Sequence, residues 1–135
     1  MNNFGWINVN NKWKQCEILR YETTEEIVIH LNDNDQLVKL QDIFIANNNS
    51  IKDINELHNL IHLQHLHEPA ILYHTITRYN NDKIYTFTGD ILLSVNSFKN
   101  LNLYENNIIK QYHNTDNLDS LNPHIFTISE KAYKS

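Results

Sequence analysis

The side chains best suited to chemistry fall between Asn96 and Tyr104, in the stretch NSFKNLNLY. Asn96 can offer a donor and an acceptor to the edge of a ring. Phe98 and Tyr104 supply aromatic faces, and Lys99 supplies a cation. Such a cluster suits a flat heterocycle held in a shallow recess. The same two aromatics would also serve as ordinary core residues in an unrelated domain, and the spacing leaves both readings open.

The histidines form a second cluster. His58, His62 and His65 recur at i, i+4 and i+7, with His67 following, and one face of a continuous helix would present them together. Imidazoles so arranged can bind zinc or copper. No Asp, Glu or Cys completes the set at a clear spacing, so a solvated face is the favoured reading and no metal is expected. His30 reads as a surface strand residue. Cys16 is the single cysteine, which rules out a disulfide within the chain and leaves a partly buried structural thiol. Arg78 either pairs with a carboxylate inside a core or sits as a solvated cation near the last carbonyls of a helix.

No catalytic residue emerges. Phosphoryl transfer by a P-loop enzyme requires G-x-x-x-x-G-K-[ST]. Gly5 and Gly89 are the only glycines, and neither begins that pattern. These 135 residues are therefore not expected to hydrolyse ATP alone.

The elements that position these residues read as an α+β chain. Five short strands are predicted over 4–9, 13–19, 26–31, 37–40 and 43–46, with turns at Asn10-Asn11 and Asn32-Asp33-Asn34-Asp35. Five strands without a helix between them suggest a small closed or nearly closed barrel over residues 1–50. Residues 47–50 read as a linker. Asp53 and Glu56 resemble a capping box for a short helix carrying Leu57, Leu60 and Ile61. Glu68-Pro69 begins a second helix, with Leu72, Ile76 and Tyr79 as its core-facing stripe. Ile84–Val95 reads as a hairpin turning at Thr88-Gly89-Asp90. Tyr104, Ile108 and Tyr112 predict a helix over 103–113, and Asn122-Pro123 begins a last helix. That last helix stops abruptly at Ser135, which leads to the expectation of an incomplete folding unit with exposed apolar faces.

Composition narrows the classes. The hydrophobic fraction is 41% and the charged fraction 20%, within the globular range. A net charge of −5 without a basic cluster gives no reason to propose a nucleic acid or an anionic membrane as partner. The longest clean apolar run, Ile91–Val95, is far too short to span a bilayer, and no signal peptide is evident, so a cytoplasmic setting is expected. The sequon Asn48-Asn49-Ser50 would be inert there. Asn accounts for 22 residues, which reads as a compositional bias rather than chemistry.

IYTFTGDILLSVN-S-FKNLNLY resembles the myosin motor segment that leads into the adenine pocket, usually Asn-Pro-aromatic-Lys followed by Tyr. LHEPAIL with Arg78-Tyr79, and later NPHIFTISEKAYKS, match the same family in the same order. The likeness covers about residues 52–135 well and the first fifty more loosely, where WINVNNKWKQCEIL resembles the opening strands of an SH3-like barrel. The resemblance implies an SH3-like β-barrel over 1–50 and an incomplete helical and β-hairpin piece of the myosin P-loop NTPase core over 51–135. It implies an adenine side lined by Asn96, Phe98, Lys99 and Tyr104. The whole motor would use ATP with Mg and move on actin filaments, associated with the cytoskeleton. None of this ligand is expected to bind tightly to the chain alone. Ser97 stands where the family has proline, which loosens the pocket entry by about 0.4–1 kcal/mol through chain entropy. The other reading is a free-standing SH3-like interaction module derived from a truncated myosin.

Overall fold

The computed structural model describes residues 3–47 and 57–135. The chain divides into two compact units, Met1–Ser50 with Leu63–Leu72, and Ile51–His62 with Tyr73–Ser135. The capping-box residues Asp53 and Glu56 and the sequon lie outside the described residues.

The first unit is a five-stranded antiparallel sheet of β1 (Asn3–Val9), β2 (Lys12–Tyr21), β3 (Glu26–Leu31), β4 (Asn34–Lys39) and β5 (Ile43–Ile45), ordered β4-β3-β2-β1-β5. Val9 pairs with Lys12 and Leu31 with Asn34, so Asn10-Asn11 and Asn32-Asp33 are two-residue loops. All four residues hold positive φ, at 53°, 64°, 52° and 62°. Those angles mark the primed turn whose twist matches the flanking strands. Asparagine tolerates this backbone through its short polar side chain. The Asn bias is thus partly chemistry, since Asn does at these turns what glycine does elsewhere. Asn34 and Asp35 belong to β4, which starts three residues earlier than the sequence suggests.

Ile7, Cys16, Ile18, Ile27, Ile29, Leu31 and Ile43 form the core of this unit. In β3 the alternation holds for Ile27, Ile29 and Leu31, while Val28 on the other face is buried as well. Leu19 is the extra residue of a bulge between Ile18 and Arg20. Gly5 is required by close approach, since a Cβ there would stand 2.9 Å from Ile43 Cγ2. The Cys16 thiol is buried against the Gly5 carbonyl at 3.5 Å, and burial raises its pKa.

α1 (Glu68–Asn80) begins where Glu68-Pro69 predicts. His67 caps it: its Nδ1 accepts from Ala70 N at 3.2 Å, and its Nε2 donates to the Ile45 carbonyl at 2.7 Å. The predicted stripe is misplaced. Leu72 and Ile76 are exposed, whereas Ala70, His74 and Arg78, at i, i+4 and i+8, are buried. Arg78 is 2% exposed, so it is not a solvated helix-end cation. Its Nε donates to Thr86 Oγ1 at 2.8 Å and its Nη2 to the Tyr85 carbonyl at 3.0 Å.

In the second unit β6 (Tyr85–Thr88) and β7 (Ile91–Ser94) form the hairpin, with Thr88 opposite Ile91. Gly89 takes φ +62° at the first position of its two-residue turn, as that turn demands. Asn59 holds this turn from outside: its Oδ1 accepts from Gly89 N at 3.0 Å and its Nδ2 donates to Gly89 O at 3.3 Å. Beside it, Phe87 N donates to the His58 carbonyl. Residues 57–59 are therefore extended, and Leu60–His62 is a single 3-10 turn, so the predicted short α-helix does not form over the described residues 57–62. The helical face that would have aligned His58, His62 and His65 does not form. α2 (Asn106–Asn114) starts later than predicted and leaves Tyr104 outside it. α3 (Ile125–Lys134) is capped by His124 and not by Asn122-Pro123.

Candidate functional site

The hairpin delivers its chain end into a turn built by side chains. Val95 N still donates to the Ile84 carbonyl, and the ladder stops there. Asn96 Oδ1 then accepts from Phe98 N at 2.9 Å, while Ser97 Oγ donates to the Lys99 carbonyl at 2.6 Å. Ser97 thus ties the turn through a side-chain hydrogen bond.

Phe98 sits at φ +55° with 87% of its surface exposed. A bulky side chain in the left-handed region is a strained outlier, costing on the order of 1–3 kcal/mol. Lys99 Nζ pairs with Asp82 Oδ1 at 2.7 Å, and that hydrogen bond raises its pKa. Asp82 itself holds φ +62° in the turn that follows α1.

Tyr104 belongs to a different set of contacts. Its hydroxyl meets that of Tyr85 at 2.6 Å, and its ring stands edge-on to His124 at 5.4 Å and to Phe126 at 5.9 Å. Burial, with the Tyr104 hydrogen bond second, pushes the Tyr85 phenol up to about 12. Asn96, Phe98 and Lys99 therefore share one turn, whereas Tyr104 joins a separate aromatic group with Tyr85, His124 and Phe126. A cavity of about 140 Å³ lies on that group, lined among others by Arg78, Asp82, Tyr85, Tyr112 and His124. Asp82 thereby connects the cavity wall to Lys99.

Sequence reasoning overlooked Tyr85 and His124 as support for this region. The signal was present at His124, a polar side chain between a proline and an apolar run, where a helix needs an acceptor for its first N–H groups. Among the described residues no group of three or more His, Cys, Asp or Glu side chains is placed to hold a metal ion.

Residues 57–135 match the myosin head (motor domain) family. The chain belongs to that family. It is 37% identical over 109 residues to Myosin-1 of Saccharomyces cerevisiae, covering 73% of this chain and 6% of that protein. It is 34% identical over 125 residues to the Myosin-J heavy chain of Dictyostelium discoideum, covering 90% of this chain and 5% of that protein. Against Myosin-1 of Arabidopsis thaliana it is 34% identical over 131 residues, covering 96% of this chain and 11% of that protein. The chain thus spans about a tenth or less of the length of these myosins. No helix among the described residues is long and apolar enough to cross a membrane.

Proposed function

We propose that the chain is the N-terminal portion of a myosin, an ATP-driven motor on actin filaments, and supplies the base side of the nucleotide site. Residues 1–50 would form an SH3-like barrel, and 51–135 the opening of the motor domain. The observation that carries this reading is the turn at Asn96–Lys99. Two side-chain hydrogen bonds maintain a strained backbone whose main product is an exposed aromatic ring at Phe98. Strain maintained in that way points to a ring kept ready for another surface.

The residues fit a purine ring. Phe98 offers a face, Asn96 keeps its Nδ2 as a donor, and Tyr104 offers a half-exposed ring. Lys99 supplies charge while held by Asp82. The 135 residues contain no glycine-rich phosphate loop, so phosphate contacts, Mg binding and hydrolysis would come from other parts of the motor, as would the actin-binding surface. The setting would be cytoplasmic and cytoskeletal, with the rest of the motor domain as immediate partner and no nucleic acid or membrane.

The test is an ATP titration of this chain by calorimetry, phosphate-release assay and amide NMR. Expected are millimolar binding, no phosphate release, and shifts at Asn96, Phe98, Lys99 and Tyr104. Micromolar affinity with turnover, or shifts confined to other residues, would overturn the reading. The self-contained sheet core favours one alternative, a free-standing SH3-like interaction module. Reading the transcript past the Ser135 codon separates the two, since an open frame entering a phosphate loop is expected only for the motor.

A further inference from the structure

His124 is 2% exposed and uses both ring nitrogens. Nε2 lies 2.9 Å from the Leu103 carbonyl, which can only accept. Nδ1 lies 3.0 Å from Phe126 N, which can only donate. A single species satisfies both, the neutral ring with its proton on Nε2. The ring also contacts Tyr104 at 5.4 Å, and Leu103 directly precedes Tyr104. Tyr104 is thus held through the preceding carbonyl, through its ring, and through its hydroxyl on Tyr85.

We propose that His124 is a positioning residue for Tyr104, its neutral imidazole fastening the Leu103–Tyr104 segment to the start of α3, and that a second ring proton releases that segment. With Nδ1 protonated, two donors would face each other at Phe126 N, and the cap would be lost. Every neighbouring element contributes to the surroundings of the ring. Tyr85 comes from β6, Tyr104 from the connection before α2, and Tyr112 from α2 at 5.1 Å. Arg78, Asp82 and Lys83 line the adjoining cavity. Burial lowers the His124 pKa from 6.5, with the Leu103 hydrogen bond opposing in part. The unfolded segment then binds the proton more readily, so the fastening is complete above pH 6.5 and weakens as pH falls below it. The consequence for ligand binding rests on the base-side reading of Tyr104 given above.

The experiment is a pH titration of the isotope-labelled chain, following the His124 ring nitrogens, the Phe126 amide and the Tyr104 ring, with and without adenosine. Expected is an Nε2-protonated neutral ring, followed on acidification by one step in which Phe126 loses protection about tenfold and Tyr104 shifts with it, a change of about 1.4 kcal/mol. His124→Asn keeps a capping oxygen but cannot reach Leu103. It should leave Phe126 protected, free Tyr104 at every pH and abolish the Tyr104 step. His74→Asn, at the other buried histidine of this unit, should leave that step in place. A Tyr104 ring that ignores both acid and His124→Asn overturns the proposal, and so does an Nδ1-protonated ring. Should His124→Asn fail to fold, the titration of the unaltered chain decides alone. A step at Tyr104 with no adenosine-induced shift at Asn96–Lys99 supports the fastening and sinks the base-side reading. Adenosine shifts equal in the parent and in His124→Asn sink the fastening and keep that reading.

Discussion

In the first unit the sheet encloses Ile7, Ile18, Ile27, Ile29, Leu31 and Ile43 around Cys16. In the second, the buried set includes His74, Arg78, Thr86, His124 and Thr127 beside Leu60, Ile84, Tyr85 and Tyr112. Along the part of α1 that belongs to the second unit, Tyr73 and Ile76 remain 47% and 49% exposed. An apolar interior stabilises by area removed from water and needs no partner in register. A polar interior contributes little net energy unless each donor finds its acceptor, but it permits few alternatives. The first unit's core thus rests on apolar burial, whereas in the second Arg78 and His124 are fixed by hydrogen bonds while His74 Nδ1 and Thr127 Oγ1 have no partner among the described residues.

Several substitutions would break or sharpen that contrast. Ile29→Ala removes a fully buried side chain from the sheet core and should cost about 2–5 kcal/mol by denaturant unfolding. A cost under about 1 kcal/mol would mean the sheet interior is not close-packed. Arg78→Met leaves Thr86 Oγ1 and the Tyr85 carbonyl without that donor. It should cost about 1–3 kcal/mol, read as lost amide protection in β6 and β7 with β1–β3 unchanged. Equal loss in both places would erase the distinction between the units.

Acid should act on the two units with opposite sign. Burial lowers the pKa of His74 and His124, so stability of the second unit falls as pH drops below 6.5. On the sheet surface, the Asp35 hydrogen bond raises the His30 pKa, so the contribution of that pair is complete below pH 6.5 and is lost as pH rises above it. Hydrogen exchange between pH 7 and 5 should therefore show β6 loosening before β3, and the reverse order would refute the comparison. The smallest effect is expected at Ile76→Lys, which exchanges an exposed apolar side chain for a charge. Its stability should change by no more than about 0.5 kcal/mol. A larger loss would place Ile76 in a core.

Local signals were legible in the sequence and distant ones were not. Asn10-Asn11 and Gly89 announced their turns because positive φ is a property of single residues. The alternating face of β3 followed from spacing, and the strand-like run around Cys16 pointed to a partly buried thiol where the structure buries it almost fully. The stripe of α1 failed because periodicity registers apolar residues, whereas Thr86 and Tyr85 draw Arg78 inward through bonds that no helical wheel contains. Residues 57–62 failed for a related reason: Asn59 and His58 bond to the hairpin, and that pairing overrides local helix preference. At the candidate site Asn96, Phe98, Lys99 and Tyr104 were readable as a motif. The strain at Phe98 and the fastening by His124 were not, because both depend on partners set by the folded chain.

Asn59 grips a turn whose glycine lies 30 positions downstream. An isolated hairpin zips in about 1–10 μs, but this clasp must also bring the ends of a long intervening loop together. During synthesis at about 5–20 residues per second, Asn59 would emerge about 1.5 to 6 seconds before Gly89. Its side-chain amide spends that interval solvated, so the clasp closes later than the hydrogen bonds between chain neighbours, and slowed codons between the two positions would lengthen the wait.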